Sequence, residues 1–502
     1  MTIDPAFLAL PLRDVAAAAL QAATEAGASS ADVRIERLRG QNLSLRDAHL
    51  ESLRDDVTIG LAVRVIADGT WGFASSADVT VDEAVRLARE AVAVSRTSRA
   101  LNAEPVELAD EPTYGDVTWV SSYDVNPYDV ATADKVELFA GWSTRLLGHD
   151  DVDHVDVRLQ QMLENKFYAD TAGTTTTQQR VRLLPQVTAT RVDPGGGFET
   201  MRTVAAPVGR GWEYLTTGYD WDGELGQLPE LLVEKAKASS VEPGRYDVVI
   251  DPSNLWLTIH ESIGHATELD RALGYEAAYA GTSFATLDQL GSLRYGSDVM
   301  HVTGDRTVEH GLSTIGYDDE GVATQQWDIV RDGVLVGYQL DRRMARQNAA
   351  VLGVSRSNGC AYADSPSRVP VQRMANVSLQ PAAGGPSTDE LIGGVERGIY
   401  IVGDKSWSID MQRYNFQFTG QRFYEIRGGR LVGQLRDVAY QATTTEFWGS
   451  MEAVGGPQTY VLGGAFNCGK AQPSQTAAVS HGCPAALFRG VNILNTTREG
   501  GR

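Results

Sequence analysis

The sequence predicts an α+β fold of two domains, with predominantly antiparallel or mixed β-sheets and helices packed on them. Three observations carry this. Tight-hairpin signals recur along the chain, while strand–helix–strand units are few. Apolar and polar residues alternate with period two over many short stretches. The length of 502 residues, at about 150 per domain, allows two or three separate cores.

The chain opens with an Ala-rich helix, about Leu12 to Glu25, closed by Gly27 where a helix C-terminus is expected. Alternating stretches follow at Ala31–Leu38, Val57–Ile66 and Thr70–Ala74. Between the last two, Asp68-Gly69 is the favoured pair for a two-residue hairpin. Thr80 and Glu83 form the capping box of a second helix, whose stripe Ala84, Leu87, Ala88, Ala91 and Val92 has helical spacing. A third helix is predicted from Thr132 to Leu147, and Val155 to Val192 reads as Thr-, Val- and Gln-rich strand. Within it, Thr174 to Arg182 suits a solvated sheet face better than a surface holding an extended chain.

The helical run Leu228 to Lys237 leads into Ser239-Ser240-Val241-Glu242-Pro243-Gly244, where a boundary is expected. Residues 1–240 then form an N-terminal α+β domain and 241–502 a β-rich C-terminal domain. In the latter, Val330–Leu335 and Ile426–Leu431 read as hairpins around Asp332-Gly333 and Gly428-Gly429. Tyr414–Phe418 and Phe423–Ile426 alternate as strands, and Ser387-Thr388-Asp389-Glu390 starts another helix with a capping box.

Lys and Arg number 44 against 65 Asp and Glu, a formal charge of −21. Phosphate affinity depends on Lys and Arg, so a nucleic-acid partner is not expected. Three cysteines, Cys360, Cys468 and Cys483, make no disulfide framework and suit a reducing compartment. The N-terminal apolar run has no basic leader and is cut by Arg13 and Asp14, and no stretch reaches the roughly 18 apolar residues of a spanning helix. A cytoplasmic location without membrane association is the expectation.

One segment stands apart. The strand Val248–Ile250 runs into Asp251-Pro252, an N-cap acid with Pro at the first helical position. Leu255, Trp256 and Ile259 give an apolar helical face, and His260-Glu261-Ser262-Ile263-Gly264-His265 follows, an HExxxH on a helix of the C-terminal domain. In the zinc-peptidase pattern His-Glu-x-x-His, two imidazoles four apart share a helix face and the Glu acts as general base. Here the spacing is five, which on a regular helix sets the imidazoles about 140° apart. Either a π-type bulge, or a helix ending near Gly264, could bring His265 back. A third ligand is open among Cys468, Cys483, Cys360, His481, Glu268 and Asp270. The chain has no Gly-x-Ser-x-Gly elbow, Walker loop or dinucleotide fingerprint.

His260 through Asp270 resembles the HExxxH segment of the TldD/PmbA family of metallopeptidases, in the form carried by the metal-bearing TldD-type subunit. Further blocks agree in order: Asp318-Asp319-Glu320-Gly321 ahead of the strand ending Val336-Gly337-Tyr338, then Arg397-Gly398-Ile399-Tyr400, then Phe466-Asn467-Cys468-Gly469-Lys470. Together they span most of residues 245 to 480. The resemblance implies Zn²⁺ bound by His260, His265 and Cys468, with Glu261 as the catalytic base. Two neutral imidazoles and one thiolate would leave an open fourth position on the metal, the mark of a catalytic site. Glu268 and Asp270 then read as groups behind the ligands or at the helix end, and Cys360 and Cys483 as small buried hydrophobes.

The implied function is a zinc metallopeptidase that hydrolyses peptides or unfolded polypeptide segments, with proteolytic maturation of peptides as a role. The implied partner is a homologous, metal-free TldE/PmbA-type subunit, or a second copy of the chain. A sheet edge near the metal would hold an extended substrate by strand addition. The alternative is a catalytically inactive TldE-like assembly partner, against which the joint presence of His260, Glu261, His265 and Cys468 argues. A purely structural zinc would call for four protein ligands.

Overall fold

Two long antiparallel hairpins organise the first half of the chain in the computed structural model, which describes residues 2–497. α1 (Pro5–Leu8) and α2 (Leu12–Glu25) lead into β1 (Ser30–Arg46), β2 (His49–Ala67) and β3 (Thr70–Ser76). Asp68 and Gly69 join β2 to β3 with φ of 49° and 68°, the left-handed pair that Asp-Gly predicts. α3 (Val81–Ser98) begins at Thr80, whose side chain accepts from Glu83 N, but the Glu83 carboxylate turns to Arg86 and leaves the box half made. β4 (Asp116–Val120), α4 (Thr132–Leu147), β5 (His154–Asp170), β6 (Thr175–Asp193), β7 (Gly197–Arg202), α5 (Glu213–Thr216) and α6 (Trp221–Ala236) complete this half. The sheet order is β3-β2-β1-β5-β6-β4, with β7 also on β6 and only β4 parallel to its neighbour.

Alternation along these strands separates two faces. Val33 and Ile35 are buried with α2 and α3, while Leu43 and Leu45 meet Phe139 and Trp142 of α4 and Leu225 of α6. The opposite face carries Arg34, Glu36, Glu164, Lys166, Arg180 and Arg182, all buried. Register explains their company, since Glu36 lies opposite Lys166 and Glu164 opposite Arg180. The segment Thr174–Arg182, expected on a solvated face, is thus buried on both sides. Gln178 bonds the Tyr317 backbone on one face, and Gln179 donates to Tyr123 Oη on the other. Lys166 Nζ reaches Asp319 at 2.7 Å and Arg64 Nη1 reaches Glu320 at 3.0 Å, so the Asp318–Gly321 block docks into this sheet. Charges withdrawn from water need partners, and here they have them.

β8 (Ser239–Ser240) and β9 (Gly244–Ile250) open the second half, followed by α7 (Pro252–Ile259) and α8 (Leu269–Ala272). Next come β10 (Val302–Asp305), β11 (Gln326–Arg331), β12 (Val334–Leu335), α9 (Arg342–Gln347), α10 (Ala349–Leu352), β13 (Ala361–Tyr362), β14 (Val371–Gln372) and β15 (Asn376–Leu379). α11 (Thr388–Gly393) starts with the full Ser387/Glu390 capping box. The chain continues through β16 (Arg397–Ile409), β17 (Asn415–Arg427), β18 (Arg430–Arg436), β19 (Val438–Thr443), α12 (Thr444–Gly449), β20 (Met451–Val454), β21 (Val461–Lys470), β22 (Gln475–Cys483) and β23 (Ala486–Asn495).

The β11–β12 and β17–β18 turns, at Asp332-Gly333 and Gly428-Gly429, are the expected left-handed pairs. β16 pairs with both β9 and β17, so β16, β9, β23, β19 and β17 close on themselves, and β21 and β22 form a separate hairpin. α7 packs against β15, β16, β21 and β22, above a core that includes Tyr295, Tyr440, Phe447 and Trp448. The architecture is α+β, with antiparallel and mixed sheets. No described helix is long and apolar enough to cross a membrane.

Candidate metal centre

Local chemistry starts α7 as expected: Asp251 Oδ1 accepts from Ser253 N at 3.0 Å, and Pro252 takes the first helical position. Past Ile259 the helix widens into one π turn, His260–Gly264, closed by His265 N–H on the His260 carbonyl. It then tightens into a 3₁₀ turn, His265–Thr267. The extra residue in the wide turn is how a spacing of five sets two imidazoles side by side, their ring centroids 4.8 Å apart. Such a turn frees carbonyls that need donors. Distant residues supply them: Tyr295 Oη bonds the Ser262 carbonyl, Gln339 Nε2 the Gly264 carbonyl at 2.7 Å, and Ser283 Oγ the Ala266 carbonyl at 2.6 Å. Trp448 Nε1 donates to Ser262 Oγ at 3.0 Å. Gly264 is required by close approach, because a Cβ there would lie 2.5 Å from Met374 Sδ.

Cys468, on β21, completes the group. One donor atom from each of His260, His265 and Cys468 lies within 4.8 Å of the others, and all three side chains are buried. Cys468 Sγ is 3.6 Å from His265 Nε2. Each of the three is held from behind. His265 Nδ1 meets Glu268 Oε2 at 2.9 Å, His260 Nδ1 meets His481 Nε2 at 2.7 Å, and Arg373 Nη2 donates to the Cys468 carbonyl at 2.5 Å. Burial pushes His260 well below the ordinary imidazole range and His265 down to about 3. It pushes the Cys468 thiol up to about 11, against the charge of Arg373. Two neutral imidazoles and one sulfur in a buried pocket fit zinc, whereas magnesium and calcium take oxygen donors.

Glu261 is buried beside this group and turned toward Arg413, with Nη1 2.5 Å from Oε2. Burial pushes its carboxyl up while the guanidinium pulls it down. Arg413 has φ of 64°, a left-handed conformation uncommon outside glycine, and its Nε is buried without a hydrogen-bond partner. A cleft of about 470 Å³ lies over Glu261, His260, His265 and Cys468. It is lined by Gly463–Gly469 of β21, by Trp256 and Trp407, and by Thr203–Pro207 from the first half.

Of the other residues open for a third ligand, His481 and Glu268 stand one hydrogen bond behind the imidazoles. Lys470 binds Glu268 at 3.1 Å and Asp270 at 2.7 Å. Cys360 and Cys483 are buried apart from the cluster, with Cys483 Sγ 3.7 Å from the Pro252 carbonyl. Arg413 and Arg373 escaped the sequence reading, since a turn and a strand end far along the chain carry no motif. Lys470 had a signal: it is two residues after Cys468, and both side chains of the strand are buried.

The family model for the PmbA/TldA metallopeptidase C-terminal domain matches residues 243–495, and that for PmbA/TldA metallopeptidase domain 1 matches residues 31–95. A Methanothermobacter thermautotrophicus protein described as a metalloprotease is 27% identical over 497 residues, covering 99% of this chain and 100% of its own. A Saccharolobus solfataricus protein described as a zinc metalloprotease TldD homolog is 22% identical over 466 residues, 93% of this chain and 96% of its own. Among solved structures, TldE of Thermococcus kodakarensis matches with a TM-score of 0.71 at 14% identity, over 94% of this chain and 98% of that one. A Thermotoga maritima protein described as a candidate modulator of a DNA gyrase reaches 0.74 at 15% identity, over 95% and 98%. These structural likenesses show a shared fold.

Proposed function

The chain belongs to the TldD/PmbA family of metallopeptidases, and from that premise we propose a zinc-dependent peptidase of the metal-bearing TldD type, acting on peptides or unfolded polypeptide segments. The convergence of His260, His265 and Cys468 within 4.8 Å carries this reading. Zinc bound by the three would polarise a scissile carbonyl and acidify nearby water. Glu261, adjacent in sequence to His260, takes the proton of the attacking water and passes it to the leaving amine. Arg413 orients that carboxylate, and its guanidinium, the cleft-lining cation paired with Glu261, stands where charge would develop on the carbonyl oxygen.

The backbone supports the substrate class. β21 pairs with β22 along one edge only, and Gly463–Gly469 line the cleft. An extended chain added there would gain main-chain hydrogen bonds with little side-chain selectivity. The proposed partner is a homologous TldE/PmbA-type subunit or a second copy of the chain, the proposed role proteolytic maturation of peptides, and the proposed location the cytoplasm, which suits three free thiols. The division into residues 1–240 and 241–502 is supported by sheet membership, since the first sheet ends at Arg202 and the closed one takes its main strands from Gly244 onward.

The fold shared with TldE is compatible with the inactive-partner alternative, and the three clustered donors with Glu261 beside them oppose it. Metal analysis and peptide cleavage on the wild type, Glu261→Ala and Cys468→Ala, with and without a partner chain, separate the two. Glu261→Ala is expected to keep its zinc and lose turnover, and Cys468→Ala to lose zinc. A wild type that holds no zinc and cleaves nothing, alone or partnered, would establish the inactive reading.

A further inference from the structure

A neutral imidazole has one nitrogen without a proton, and only that one can bind a metal. The hydrogen bonds behind His260 determine which nitrogen it is. The Val377 carbonyl can only accept, so His481 Nδ1, 2.8 Å away, carries a proton. His481 has 0% exposure, lies beside the Trp256 indole, and has no carboxylate among its described partners; a cationic ring would be buried there without a counter-charge, so the ring is neutral and its Nε2 is an acceptor. His260 Nδ1, 2.7 Å from that Nε2, must then be the donor. His260 Nε2 is left with the free lone pair.

We propose that His481 is a positioning residue: it relays the Val377 carbonyl acceptor to His260 and locks His260 in the tautomer that offers Nε2 to the metal. This rests on the zinc-site reading above. His481 lies on β22 and Val377 on β15, so the lock belongs to the scaffold beneath α7. His265 reaches the same tautomer by other means, with Nδ1 on the Glu268 carboxylate, itself paired with Lys470 at 3.1 Å and Arg271 at 3.5 Å. The two histidines thus present the same nitrogen from unlike supports, one neutral and one anionic.

Amide variants test the relay. Glutamine at 481 places its amide near the Nε2 position and keeps an acceptor for His260, whereas asparagine places it near Nδ1 and keeps only the Val377 contact. The readouts are zinc affinity, by competition with a chromogenic chelator, and imidazole nitrogen NMR of the metal-free chain. The wild type is expected to show His260 protonated at Nδ1. His481→Gln is expected to stay within about threefold of wild-type affinity, and His481→Asn and His481→Leu to lose roughly 10- to 100-fold with mixed His260 tautomers. Equal affinities for the Gln and Asn variants, or a wild-type His260 protonated at Nε2, would overturn the relay. If the variants do not fold, the wild-type resonances decide it alone. A wild type that binds no zinc overturns the zinc reading, and the tautomer is still read separately in the metal-free chain.

Discussion

Arg413 Nη1 lies 2.5 Å from Glu261 Oε2, joining the proposed base to a turn 152 residues further along the chain. That turn is itself fastened, because the Met411 and Gln412 carbonyls accept from Thr282 and Phe284 N at 3.0 and 2.9 Å. The backbone that carries the guanidinium is therefore held in place beside the carboxylate.

Arg413→Ala is expected to keep zinc and lower kcat/KM by about 100-fold, the scale of losing one donor to developing charge. Arg413→Lys should recover part of it, since a point charge replaces a planar fork. Steady-state kinetics with metal content decide this; a raised KM with unchanged kcat would make Arg413 a substrate anchor instead.

Gly264→Ala drives a Cβ toward Met374 Sδ, 2.5 Å from its ideal position. Overpacking of this kind costs about 1–3 kcal/mol, and here it also pushes on the π turn between the two histidines. Lower Tm and weaker zinc binding are expected, both partly restored in Gly264→Ala/Met374→Ala. Strict additivity in that double-mutant cycle would count against the contact.

Lys166 sits 2.7 Å from Asp319, 3.7 Å from Glu36 and 3.8 Å from Glu164, all buried. Lys166→Met strands these carboxylates and should destabilise by about 3–5 kcal/mol. Urea unfolding is expected to show a far smaller loss in Lys166→Met/Asp319→Asn, where charge balance is partly regained.

Asp341 caps α9, accepting from Met344 N at 2.7 Å, and burial followed by the nearby Glu320 charge pushes its carboxyl up to about 8. Between about pH 4 and 8 the folded chain keeps a proton that the unfolded chain has released. Its contribution is full below that window and is lost as pH rises through it. Asp341→Asn keeps a capping oxygen and removes the titration, so its Tm relative to wild type should rise from pH 5 to pH 8. A pH-independent difference would refute the assignment.

Hairpin turns and helix starts were legible because their cause is local: Asp68-Gly69, Asp332-Gly333 and Ser387/Glu390 are settled within a few neighbouring residues. The HExxxH spacing was legible as a choice between a π-type bulge and an early helix end, and the bulge is what formed, but the sequence around it could not make that choice. A π turn survives through Tyr295, Gln339 and Trp448, which no window around His260 contains. Cys468 stood out from its rivals through a family resemblance, and the cluster within 4.8 Å now stands on geometry. The polar face at Gln178 and Arg180 was misread, since a period-two pattern reports which face is polar and not whether water reaches it.

The cleft is lined by Thr203–Pro207 and by β21, and these belong to halves joined by the buried ion pairs of Asp319 and Glu320. Its volume is about 470 Å³. A single extended strand occupies about 4.8 Å laterally, whereas even a 100-residue domain has a radius of gyration near ~13 Å. On the proposed reading, a protein brought to this cleft would have to offer an extended, unthreaded segment. Which chains are cut would then follow from where a substrate frays most easily, more than from the residues flanking the bond.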